Sequence, residues 1–173
     1  NTLLDSPGHA LRATGKSFRV RRYGATGSVT LKGRAVSAGG LKTRVELESA
    51  VSAPEVVEQI LTSLGFVPHF RYEKFREVWR VGRAIVCLDE TPMGRFVEIE
   101  GPSPVIHRVA AALGIRPDQF LSASYPALWL EAGSGGDMVF SEKSRRSLAN
   151  PRPSLAKKPS PVASERRGRR GHM

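Results

Sequence analysis

Five stretches of this chain alternate formal charge with aliphatic or aromatic residues at a period of two. KSFRVRR sets Arg19 and Arg21 against Phe18 and Val20, and SVTLKG sets Thr30 and Lys32 against Val29 and Leu31. LKTRVELE sets Arg44, Glu46 and Glu48 against Val45 and Leu47. YEKFREVW sets Lys74 and Arg76 against Phe75, and RFVEIE sets Glu98 and Glu100 against Val97 and Ile99. A strand sends alternate side chains to opposite faces, so each stretch reads as a strand with one charged side and one apolar side. Joined by short Gly-rich turns (ATGS, SAGG, VGR), they predict an antiparallel sheet with a single charged face.

Two physical readings of that face stand side by side. Antiparallel sheets commonly keep one face packed and the other in water, with helices over the apolar side. Ordinary wet faces, however, mix Ser, Thr, Asn and Gln among their charges. Here formal charge holds nearly every position, and the acids come in pairs on one side of one strand. Paired carboxylates repel unless a counter-charge or a metal lies between them. Glutamates supply the hard oxygen ligands that Mg²⁺ or Mn²⁺ takes, and clustered Arg and Lys supply what phosphate takes. A sheet curled around this face would enclose a polyphosphate and its metals.

Two amphipathic helices interrupt the strands. SAPEVVEQILTSLGF repeats Val56, Val57, Ile60, Leu61 and Leu64 at helical spacing, with Ser52 as the expected cap, Pro54 in the first turn and Gly65 as the stop. SPVIHRVAAALGI repeats the arrangement with Ser103, Pro104 and Gly114. Each helix follows an acidic pair, and Glu46 and Glu98 lie 52 residues apart, so a duplicated unit of sheet plus helix is expected. Trp79 and Trp129 read as packing residues, and Cys87 as a small buried hydrophobe. A single cysteine excludes an intrachain disulfide and argues for a reducing compartment. No apolar run approaches the ~20 residues that span a bilayer. Residues 133–173 hold ten Lys and Arg against three Asp and Glu, are rich in Ser, Pro and Gly, and lack an apolar pattern. They are expected to form a disordered basic tail from residue 132 onward, with at most nonspecific affinity for nucleic acid or other polyanions.

FRVRR, TLKG, KTRVELE, YEKFRE, LDETPMGRFVEIEG and the LGF and LGI helix ends resemble the CYTH family, the triphosphate tunnel metalloenzymes. Class IV adenylate cyclases, thiamine triphosphatases and inorganic tripolyphosphatases belong to it, and this sequence is most similar to the cyclase-like branch. The resemblance covers residues 1–131. It implies an α+β fold: an eight-stranded antiparallel β-barrel forming a tunnel, with helices packed outside. It also implies roles. Arg19, Arg21, Lys32, Arg44, Lys74 and Arg76 would bind phosphate, and Lys74 would in addition help activate the attacking water. Glu98 and Glu100 would bind the metal, Glu46 and Glu48 would hold a second metal or orient water, and Asp89 would join the metal-binding acids. Family members open on a Glu-x-Glu-x-Lys strand. No such motif precedes Asn1 here, so this chain is expected to lack the first strand of the barrel, which the natural protein would carry.

The resemblance implies a cytoplasmic, metal-dependent enzyme with Mg²⁺ or Mn²⁺ as cofactor and tripolyphosphate or ATP as the small-molecule partner, and a homodimer, as in many relatives. Hydrolysis of a triphosphate chain is the preferred activity, because a charged tunnel needs only the polyphosphate to perform it. The alternatives are a class IV adenylate cyclase making cyclic AMP and pyrophosphate, and a noncatalytic polyphosphate- or nucleotide-binding module.

Overall fold

The alternating stretches fold as strands, except that LKTRVELE breaks at Arg44 and Val45 and Lys74 falls just before its strand, and the order of elements shows the duplication. A computed structural model describes residues 1–149. The chain runs through β1 (Thr2–Asp5), a single helical turn α1 (Ala10–Ala13), β2 (Ser17–Tyr23), β3 (Thr26–Lys32), the short strands β4 (Val36–Ala38) and β5 (Leu41–Thr43), β6 (Glu46–Val51) and α2 (Pro54–Ser63). It continues through β7 (Val67–Arg71), β8 (Phe75–Val81), β9 (Ala84–Thr91), β10 (Gly94–Glu100), α3 (Ser103–Ala112), a 3₁₀ turn at Pro117–Gln119 and α4 (Tyr125–Glu131). Each half is thus a leading strand, a three-stranded antiparallel meander and a helix. In the first half β2, β3 and β6 pair in sequence; in the second β8, β9 and β10 do. The leading strands β1 and β7 pair with each other, which makes one sheet of order β6-β3-β2-β1-β7 and a second of order β10-β9-β8.

Both helices end in the same way. Phe66 N–H returns to the Leu61 carbonyl and Ile115 N–H to that of Ala110, around Gly65 and Gly114 at φ 94° and 74°. This six-to-one closure needs a left-handed residue, which glycine supplies without a Cβ clash. The helix starts differ from expectation. Ala53 and Pro102 occupy the cap positions without a side-chain cap, and Ser103 is already inside its helix. Proline in the first turn of each presets φ and has no N–H to satisfy, so a serine cap is dispensable.

Three features sharpen the expected antiparallel α+β fold. The barrel is not closed among the described residues: its eight long antiparallel strands divide into sheets of five and three, and β6 and β10 each pair on one side only. β1 is a strand that the sequence pattern did not single out; it reads TLLD, so it is not the Glu-x-Glu-x-Lys strand. The polar tail begins later than residue 132. Met138 N–H donates to the Arg71 carbonyl and Glu73 N–H to that of Met138, which lays this segment along β7, and Met138 is fully buried. The compact first unit therefore runs from Asn1 to Phe140. The second begins at Ser141 and carries α5 (Glu142–Ala149). The expectation of disorder for residues 150–173 lies outside the described residues. No helix among the described residues is long and apolar enough to cross a membrane.

The core has two parts. Ala84, Val86, Ile99, Val105 and Val109 pack α3 onto the apolar face of the β8–β10 sheet. Phe70, Tyr72 and Met138 form the other cluster, joined by Leu3, Met93, Tyr125 and Trp129. Leu3 lies directly opposite Arg19, so this second cluster sits on the charged side of the larger sheet.

Candidate functional site

Register places the predicted charges in two rows. In the first meander Arg19 lies opposite Thr30, and Thr30 opposite Glu48. Arg19 is 6% exposed, and its Nη2 donates to Thr30 Oγ1 at 2.9 Å and to Glu48 Oε2 at 3.3 Å. Its Nη1 donates to the Tyr72 hydroxyl at 3.3 Å. The Thr30 hydroxyl in turn donates to Glu48 Oε2 at 2.5 Å, and that bond, with the nearby Arg21 and Arg19, holds the Glu48 carboxyl below the usual range. The Arg19 Nε–H is buried and has no acceptor among the described residues. Two residues along the strands, Lys32 lies opposite Glu46. Lys32 Nζ and Arg44 Nε both donate to Glu46 Oε1, at 2.8 and 3.1 Å. Burial lowers the Lys32 ammonium more than Glu46 raises it. Burial pushes Glu46 up, but Lys32 and Arg44 outweigh it and hold the carboxyl low. Arg21 donates to Asn1 Oδ1 at 3.0 Å and to the Tyr23 hydroxyl at 2.6 Å.

The second meander carries the tighter row. Arg76 lies opposite Asp89, and Asp89 opposite Phe96. Arg76 grips Asp89 with both arms, Nε on Oδ1 and Nη2 on Oδ2, each at 2.6 Å, and its Nη2 also donates to Glu98 Oε2. Lys74 Nζ donates to Asp89 Oδ2 at 2.8 Å and stands 3.6 Å from Glu98 Oε1. The Tyr125 hydroxyl, from α4, donates to the same Asp89 oxygen at 2.7 Å. Burial pushes the Asp89 carboxyl up; Arg76, Lys74 and Tyr125 outweigh it and hold it far below the usual range. The Arg76 guanidinium is correspondingly held in its charged form, despite the cost of burial. Cys87 is buried and opposite Glu98, with its thiol raised by burial, as a small hydrophobe would be.

Both rows border the same aromatic cluster. Arg19 reaches it through Tyr72, and Asp89 through Tyr125. The structure thus groups Arg19 with Glu48, Lys32 and Arg44 with Glu46, and Lys74 and Arg76 with Asp89 and Glu98. Glu100 is exposed on the same side of β10 as Glu98 and stays outside these networks. Thr30, Tyr72 and Tyr125 belong to the rows although the sequence assigned none of them a role. Thr30 carried a signal, its place on the charged face. The two tyrosines carried none, because their partners lie 53 and 36 residues away. Neither tryptophan is fully enclosed: Trp129 joins the core, but Trp79 is half exposed.

A metal fits by chemistry rather than as a finished cage. Glu46, Glu48, Glu98 and Glu100 are hard oxygen donors, but among the described residues no three His, Cys, Asp or Glu converge as a metal site. Asp89 is the least available of the acids, since four hydrogen bonds already occupy its two oxygens.

Similarity to other proteins follows this geometry. No curated protein matches the chain in sequence. Among solved structures, a protein from Pyrococcus horikoshii OT3 superposes with a TM-score of 0.60 at 21% identity, over 72% of this chain and 77% of that one. A candidate adenylate cyclase from Vibrio parahaemolyticus does so at 0.59 and 17%, over 72% and 75%. A candidate adenylyl cyclase from Hippeastrum, described as having a dominant triphosphatase activity, does so at 0.59 and 16%, over 78% and 81%. These likenesses concern the fold. The sequence profile of the CYTH domain matches residues 1–116, which hold both meanders, both helices and every charged residue of the two rows. The chain belongs to the CYTH domain family.

Proposed function

We propose that the charged face binds and hydrolyses a triphosphate chain with the help of a divalent metal. The observation that carries this reading is the placement of fixed cations on two sheets around one aromatic cluster. Arg19, Lys32 and Arg44 lie on or beside one sheet, and Lys74 and Arg76 beside or on the other. Each is oriented by a carboxylate, so the array is organised before a ligand arrives, which is how electrostatic stabilisation avoids reorganisation cost. The spare Arg19 N–H is a buried donor suited to a phosphate oxygen. Phosphoryl transfer asks little covalent chemistry of the protein; positioning and charge neutralisation suffice. Glu98 and Glu100, with Glu46 and Glu48, would hold Mg²⁺ or Mn²⁺, which when bound neutralises phosphate charge. Arg19, Arg21, Lys32 and Arg44 would bind the chain of phosphates. Lys74, between Asp89 and Glu98, would orient the attacking water, with Arg76 beside it.

One observation favours a second reading, the cyclase. A cleft of about 380 Å³ opens beside Glu98, with Phe96, Phe120, Tyr125 and Leu128 on its walls. An apolar cleft next to the ionic row suits an organic group such as a nucleobase. Parallel assays separate the readings. Tripolyphosphate and ATP are each supplied with Mg²⁺, Mn²⁺ or EDTA, and orthophosphate, cyclic AMP and pyrophosphate are followed. The hydrolase reading expects metal-dependent orthophosphate, lost in EDTA, and cyclic AMP with pyrophosphate would replace it with the cyclase. Binding without any product, weakening steeply with salt, would make this a polyanion-binding module. Glu98→Gln and Glu100→Gln are expected to abolish turnover with the fold intact by circular dichroism; full activity in both would remove them from the metal site.

A further inference from the structure

We propose that Tyr125 is a positioning residue of this site, holding Asp89 and Lys74 in place from a helix beyond the CYTH match. The inference rests on the triphosphate reading above. Tyr125 engages both partners at once: its hydroxyl donates to Asp89 Oδ2 at 2.7 Å, and Lys74 Nζ lies over its ring, 5.1 Å from the centroid. Phe96 meets the ring edge-on at 5.2 Å, which fixes its plane. A lysine ammonium is a point charge on a flexible stem, and it stays put only where its surroundings hold it. Here the ring face, the Asp89 oxygen and Glu98 surround it. Asp89 needs the hydroxyl for its own reasons. Asp89 is 2% exposed, and its charge is spread over Arg76, Lys74 and Tyr125. With the hydroxyl removed, the same negative charge falls on Lys74 and Arg76 alone. Both cations are then drawn toward Asp89 and away from the water that Lys74 would orient.

The test separates the hydroxyl from the ring in the full chain. Tyr125→Phe keeps the ring, the contact with Phe96 and the seat for Lys74, and deletes only the donor. Its kcat on tripolyphosphate is expected to fall about tenfold, the loss expected for one hydrogen bond to a charged group, with KM nearly unchanged. Tyr125→Leu deletes both, so KM should rise as well, and phenylalanine should rescue KM relative to leucine without rescuing kcat. Wild-type turnover in Tyr125→Phe would overturn the proposal. So would losses in both variants that merely track their thermal stability, since a structural role predicts that. A wild-type protein that turns over neither tripolyphosphate nor ATP would instead sink the triphosphate reading, and this inference with it.

Discussion

Thr30 and Asp89 hold equivalent places, each in the middle strand of its meander and each opposite an arginine of the first strand. Thr30 shares its neighbours through a hydroxyl and can pass a hydrogen bond on to Glu48. Asp89 carries a full charge, so its row is the stronger electrostatically and the more exacting. Removing one partner of a buried charge network leaves the others uncompensated, which costs about 3–5 kcal/mol. Asp89→Asn is therefore expected to lose about that much unfolding free energy, measured in urea at neutral pH, and to release Lys74 and Arg76 from their fixed positions. The pH dependence has a definite sign. The folded-state carboxyl titrates below its unfolded value, so its contribution is complete above the ordinary carboxylate range and is lost as pH falls through and below it. Stability of the wild type should decline on acidification across that window, and Asp89→Asn should flatten the decline; identical slopes would show that Asp89 is not the group responsible. Asp5 adds to the same trend. It is 1% exposed and accepts hydrogen bonds from the backbone N–H groups of Ser6, Leu11 and Arg12, which overcome the effect of burial and hold its carboxyl low.

The meanders were legible because strand periodicity is local: Arg19, Lys32, Glu48, Arg76 and Glu98 can be placed on one face by counting in twos. The helices were legible in existence, and less so in orientation. Val56 and Ile60 of α2 are 51% and 53% exposed, while Glu58 is buried beneath them, paired with Arg22 at 2.6 Å and Arg71 at 3.5 Å. An apolar stripe tells that a helix has two faces; it does not tell which face a neighbouring arginine can claim. Closure was illegible for a related reason. Edge pairing is decided by strands far apart in sequence, and β6 and β10 carry the same alternating pattern as the paired strands between them. One close approach between elements was equally silent. Gly27 lies in β3 where a Cβ would stand 1.9 Å from the Arg21 carbonyl oxygen and 3.0 Å from Pro54 Cβ. The first contact would push β3 from β2, and the second would push α2 from the sheet. Gly27→Ala is expected to cost about 1–3 kcal/mol, the usual penalty for overpacking, seen as a lower urea midpoint with an unchanged slope. A midpoint equal to wild type would mean that the strand shifts freely there.

At the scale of the molecule, the family match and the folded unit end at different residues. The match stops at 116, whereas the compact unit continues to Phe140. Composition hid the difference, because Gly133–Gly136 and the charges that follow read as a linker, and three apolar residues, Met138–Phe140, make no pattern in such a context. Yet Met138 is 0% exposed in the cluster with Phe70 and Tyr72, and Tyr125 and Trp129 pack against it. Phe140 meets Phe75 at 5.4 Å, and its N–H donates to the Glu73 carboxylate at 3.0 Å. A chain cut after residue 116 would thus expose the aromatic cluster between the two charged rows and take a hydrogen-bonded partner from Asp89. Fully burying a large apolar side chain is worth about 1.5–3 kcal/mol, and small domains are stable by only about 5–15 kcal/mol. Losing Tyr125, Trp129, Met138 and Phe140 together therefore removes a large fraction of the stability available. A chain ending at Phe140 is expected to keep a single cooperative thermal transition within a few degrees of the full-length protein. One ending at residue 116 should melt far lower or without cooperativity, and should bind a hydrophobic dye at room temperature. Equal melting of the two would show that the meanders and their helices are self-sufficient, and that α4 and the Met138 segment only decorate a core already complete.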